Sequence, residues 1–145
     1  MPSASFTKIP DFIEYLAEGA IDMENDSFVI ALSNTAPAAE TPNPTTSGNG
    51  VLANVTQIAY TNLSSRALTV ASSAESGGTY TSDFDNLVLT ASGGAVADFR
   101  YVYIYDDTAA SDPLVALFDY GSTVSLADGE SLNVNFSASG LFTIA

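Results

Sequence analysis

Residues 96–107 read VADFRYVYIYDD, and the alternation within this stretch decides the fold. Successive side chains on a strand point to opposite faces. Phe99, Tyr101, Tyr103 and Tyr105 therefore share one face, and Arg100, Val102 and Ile104 the other. Large apolar groups on both sides predict a central strand, Val96 to Tyr105, in a sheet with both faces at least partly covered. The three tyrosines could also serve as a stacking platform for a sugar or a nucleobase. Core packing or a subunit interface is the plainer use, because tyrosine suits places where one end is apolar and the other wet.

Working outward, residues 130–137 read ESLNVNFS. Leu132, Val134 and Phe136 alternate with Ser131, Asn133, Asn135 and Ser137, which predicts one core face and one wet face on an outer sheet. Further strands are expected at Ser27–Ser33, Ala67–Ala71, Tyr80–Phe84, Leu87–Ala91, Leu114–Tyr120, Thr123–Leu126, Ser131–Phe136 and Leu141–Ile144. The breaks between them carry turn chemistry: Gly77-Gly78 and Gly93-Gly94, both read as hairpin turns, the Asp106–Pro113 loop, Gly121, Asp128-Gly129 and Gly140.

A helix is expected near the N-terminus. Phe12, Leu16 and Ala20, with Ile9, Ile13 and Ala17 beside them, form an apolar stripe over roughly Ile9 to Glu18. Thr7 or Ser5 could cap it, Pro10 suits the first turn, Asp11 the positive end of the dipole, and Gly19 the stop. A helix of about ten residues is marginal alone, so its stripe must lie on the sheet or on a neighbouring molecule. Residues 1–8 read as an N-terminal arm, mobile or ordered by a partner. Residues 34–50, NTAPAAETPNPTTSGNG, read as a long Pro/Gly-rich loop serving as a contact arm, extended where proline dominates and mobile toward its glycines. Val51 to Tyr60 leans toward a short helix on the spacing of Leu52, Val55 and Ile58. The expected fold is mainly β: an antiparallel β-sandwich or barrel spanning residues 9–145 as one domain, with one short N-terminal helix packed on it.

The charge balance narrows the partners. Seventeen acidic residues oppose three basic ones, Lys8, Arg66 and Arg100, for a formal net charge of −14 over 145 residues. A surface of that sign repels phosphate backbones and anionic lipid, so neither nucleic acid nor a membrane is an expected partner. Cysteine, histidine and tryptophan are absent. That removes disulfides, thiolate nucleophiles, imidazole bases and the usual zinc ligands. The first residues lack the charged n-region and apolar run of a secretion signal, so a cytosolic origin is expected. The glycan triplets at Asn25, Asn54, Asn62 and Asn135 are then read as chance.

Carboxylates are the only plentiful reactive groups. Asp83 and Asp85 could lie on one strand face as a glycosidase pair, but nothing in the sequence points to a cleft, and a solvated strand edge is the simpler reading. Asp22, Glu24 and Asp26 have the alternate spacing of calcium loops, and Asp106, Asp107 and Asp112 cluster in another loop. Neither has the central glycine and distal glutamate of an EF-hand, so charged turns are expected rather than cation sites. The expectation is no enzyme, no catalytic residue, no cofactor and no metal site.

Residues 114–145, LVALFDYGSTVSLADGESLNVNFSASGLFTIA, together with VLANVTQIAYTNLSSRALT, VADFRYVYIYDD and FVIALSNTAP, resemble a group of small structural proteins of tailed bacteriophages, marine ones especially. The resemblance covers most of the chain from about Phe28 onward. It implies a virion protein, a capsid decoration or cement protein on the outer face of the major capsid protein shell, often trimeric. Alternatives are a tail or neck component, such as a tube or adaptor protein, and a host- or sugar-binding module on the virion using Tyr101 or Tyr103.

Overall fold

A computed structural model describes residues 3–145. Its elements, in chain order, are β1 (Ser5–Lys8), α1 (Pro10–Ala17), β2 (Phe28–Ser33), β3 (Val70–Ser76), β4 (Thr79–Phe84), β5 (Leu87–Thr90), β6 (Val96–Asp106), β7 (Leu114–Leu126), β8 (Ser131–Val134) and β9 (Phe142–Ile144). The strands form a four-stranded sheet in the order β1-β7-β6-β2, a three-stranded sheet β3-β4-β9 and a pair β5-β8, with antiparallel pairing throughout. This is the predicted class: mainly β, antiparallel sheets packed together, one short helix.

β6 is central, flanked by β7 and β2, and every residue from Tyr101 to Asp106 is buried. The tyrosine face thus belongs to the core. Tyr101 and Tyr103 are buried, which corrects the reading of this ladder as a platform for sugar rings: no ring face is open to a ligand. Burial pushes the Tyr103 phenol above its ordinary value, and among the described residues its hydroxyl has no hydrogen-bond partner. Two apolar clusters share this strand. One includes Tyr101, Tyr103, Ile104 and Tyr105, the other Phe99 and Val102.

Several boundaries differ from expectation for identifiable reasons. Ser5–Lys8, expected as an arm, is an edge strand held by backbone pairing to β7 with all four residues exposed, so it carries no apolar periodicity to read. The helix starts one residue later than predicted, with Ile9 as N-cap and no side-chain cap from Ser5 or Thr7. Its stop is a Schellman turn: Gly19, at φ 74°, donates to the Leu16 carbonyl and Ala20 donates to Tyr15. The run expected at Ala67–Ala71 shifts to Val70–Ser76, drawn out by the tight Gly77-Gly78 turn to β4, which is the predicted hairpin. Gly93-Gly94 is not a hairpin turn, because β5 pairs with β8 and the turn hands the chain to another sheet. The two strands expected at Leu114–Tyr120 and Thr123–Leu126 are one, β7, which passes through Gly121 with shifts of register against β6.

The stretch Val51 to Tyr60 is not the helix its spacing suggested; only Leu52–Asn54 makes a short 3-10 turn. The chain from Ile58 to Leu68 instead runs along the outer edge of β2. Ile58 donates to Leu32 O, the Tyr60 hydroxyl accepts from Leu32 N at 3.0 Å, Ile30 donates to Arg66 O, and Leu68 donates to Phe28 O. An edge that would otherwise offer unpaired backbone groups is thereby covered.

The 34–50 loop is pinned rather than loose at its glycine end. The buried Asp11 side chain accepts from Gly48 N and Gly50 N, both at 2.8 Å. Farther along, Glu40 accepts from Thr56 N at 2.7 Å and Thr56 Oγ1 at 2.8 Å. The reading of Asp11 as a dipole partner of α1 therefore captured only part of its use.

Candidate docking groove and acidic loops

An open apolar groove lies where two sheets end. β1 is the last strand of the four-stranded sheet and β9 the last of the three-stranded sheet, and both line a groove of about 520 Å³ with α1 along it. Phe12, Leu16 and Ile13 come from the helix, Val115 and Ala116 from β7. The helix stripe explains the asymmetry: Phe12 is buried and packs edge-to-face on Phe142, whereas Ile13, one position round, is 52% exposed. Phe6 and Ile144 are 55% and 53% exposed on the opposite walls. Large apolar side chains exposed together mark interaction surfaces more often than scattered single ones do.

One charge stands in this lining, Lys8. The other two cations are committed elsewhere. Arg100 makes a two-pronged pair with Asp119 at 2.7 and 3.0 Å, which raises the guanidinium's pKa and holds the Asp119 carboxyl below its ordinary range. Arg66 stacks 3.6 Å over the Tyr60 ring and donates to Ile30 O. Among the described residues, Lys8 has no carboxylate partner.

The acidic candidates resolve differently. Asp83 Oδ1 accepts from the neighbouring Phe84 N, and Asp85 is exposed just past the end of β4. Asp22 serves its own turn, accepting from Glu24 N, Asn25 N and Asn25 Nδ2, and these bonds lower its pKa. Asp26 accepts from Asp22 N. Among the described residues, no group of three or more carboxylates is placed to hold a metal ion. What the sequence did not disclose is that the two acidic loops meet. The β2–β6 register sets Phe28 opposite Asp106, Asp107 N donates to Ser27 O, and Ser27 N donates to Thr108 Oγ1.

Asp106 is fully buried. Its Oδ1 accepts from Thr108 N and Ala109 N, Oδ2 has no donor among the described residues, and the Asp26 carboxyl lies near enough to act on it. A hydrogen bond between two carboxyl groups needs a proton on one of them. Burial first, and Asp26 second, push Asp106 up from 3.8 to about 6. The folded state therefore holds this proton more tightly than the unfolded chain. The stability it contributes is fully present below pH 3.8 and is lost as pH rises toward about 6. Asn at position 106 reproduces the protonated form, accepting at Oδ1 and donating toward Asp26. Asp106→Asn is expected to be more stable than the parent at pH 7 and to lose that advantage at pH 4. Urea midpoints across this range check it, and an unchanged difference between the two proteins would remove the proton from the account.

No protein-family model matches the chain, and no curated protein or solved structure does.

Proposed function

We propose that this chain is a virion structural protein, a capsid decoration or cement protein that binds the outer face of the major capsid shell, with the groove between β1, α1 and β9 as its adhesive face. The observation that carries the reading is that groove: an apolar surface with Phe6, Ile13 and Ile144 exposed together, on a domain otherwise charged at −14. Strong negative charge favours solubility, and suits the outside of a shell better than contact with packaged DNA. Trimers at local three-fold positions would let one molecule engage several neighbouring shell subunits, multiplying weak contacts. The work of such a protein is adhesion without chemical transformation.

Particles lacking the protein are expected to assemble but to release DNA at a lower temperature than complete ones, as dye accessibility during heating reports. Equal release temperatures would remove clamping from the account. Copy number separates a shell location, with hundreds per particle, from a ring in the tail or neck, with a few to some dozens. A shell repeats its subunit contacts over the whole particle, roughly hundreds of times, whereas a ring closes after a few.

A further inference from the structure

The edges of the two sheets that meet at the groove differ from the edge at β2. β2, at the far side of the four-stranded sheet, has its outer backbone groups taken up by Ile58–Leu68. Among the described residues, no backbone hydrogen bond reaches the outer side of β1 or β9. Four consecutive residues, Leu141 to Ile144, line the groove, which is what a strand presents with its edge rather than its face. Two unpaired edges beside an open apolar floor are the arrangement that accepts an added strand, with main-chain bonds supplying affinity and alternate side chains filling the pocket.

We infer that the groove is a slot for one extended segment of a different protein, paired along the β9 or β1 edge, with alternating apolar side chains and a carboxylate opposite Lys8. This rests on the docking reading above and specifies what docks. The volume, about 520 Å³, is that of a few side chains, the share that one inserted strand supplies. The unpaired Lys8 at the wall asks for a negative partner. A second copy is disfavoured as occupant, because each brings a further −14 of like charge.

The test compares amide hydrogen exchange in the free protein and in purified, fully decorated particles. Amides within Ser5–Lys8 and Phe142–Ile144 are expected to slow by about tenfold or more on the particle. Ile13→Asp, at an exposed position of α1, is expected to keep the parent melting behaviour and to reduce the copies bound per particle by about tenfold. Particles that contain the protein with these strands still exchanging freely, or that bind Ile13→Asp as well as the parent, overturn the slot and leave decoration standing. Protection that arises in the free protein with concentration, together with a dimer mass, overturns it in favour of self-pairing. Absence of the chain from particles overturns the docking reading and the slot together.

Discussion

Replacing Phe84 with alanine is expected to cost roughly 3–5 kcal/mol and to lower the melting temperature by about 10–20 °C. The side chain is almost wholly buried near the turn from β4 to β5. Its ring lies 5.3 Å from Phe28 on β2 and 5.6 Å from Phe136 beyond β8, centroid to centroid. One side chain thus joins the four-stranded sheet, the three-stranded sheet and the segment following the β5-β8 pair. Aromatic pairs of this kind add about 0.5–1.5 kcal/mol each beyond the area they bury, and alanine forfeits both pairs and leaves a cavity. Since small domains are stable by only about 5–15 kcal/mol, the loss is a large share of the total. Phe84→Leu keeps most of the volume and is expected to recover more than half of it. Chemical denaturation of the three proteins checks the order, and a Phe84→Ala midpoint within error of the parent would show that the sheets are joined elsewhere.

Asp11→Ala is the second large effect, about 2–4 kcal/mol, since each hydrogen bond to a charged acceptor is worth roughly 1.5–3 kcal/mol and its loss strands a buried donor. Two donors are at stake, Gly48 N and Gly50 N, the latter in a buried contact. The space is made for this partner: a β-carbon on Gly50 would come within 2.9 Å of Ile9 Cγ2 and 3.0 Å of Asp11 Oδ2. Asp11→Asn should fall between alanine and the parent, because it keeps one acceptor and turns an amide donor toward the other N–H. The measurement is limited proteolysis within residues 40–50 alongside thermal melting. Alanine is expected to expose the loop to cleavage at temperatures where the rest of the domain is folded, and a parent-like digestion pattern would mean that the loop is held by its other contacts.

The strands were legible where one residue in two decides a face. Residues 130–137 alternate cleanly and the structure gives them a half-wet outer strand; residues 96–107 give the covered central strand, but shifts of register against β7 group Phe99 with Val102, and Ile104 with the tyrosines, against the simple alternation. Gly77-Gly78 announced its hairpin because both residues adopt positive φ, which glycine alone takes without strain. β1 could not be read, since all four residues of Ser5–Lys8 are exposed and the strand is held by backbone pairing to β7 and one ring contact, Phe6 on Phe118. The order of the 34–50 loop was equally hidden, because it depends on a carboxylate 37 and 39 residues away. For the groove, Phe6, Ile13 and Ile144 were visible as apolar residues. That they remain uncovered follows from where two sheets end, which no local pattern encodes. The two acidic loops were both noticed as separate turns, and only the strand register brings Asp26 against Asp106.

β6 contributes side chains to both apolar clusters, Phe99 and Val102 to one and Tyr101, Tyr103, Ile104 and Tyr105 to the other. Its 11 residues pair on one side with the 13 of β7 and on the other with β2. Neither half of the molecule is therefore a foldable fragment. A nick or truncation that removes this one ribbon empties both interiors together, so the domain persists or collapses as a whole.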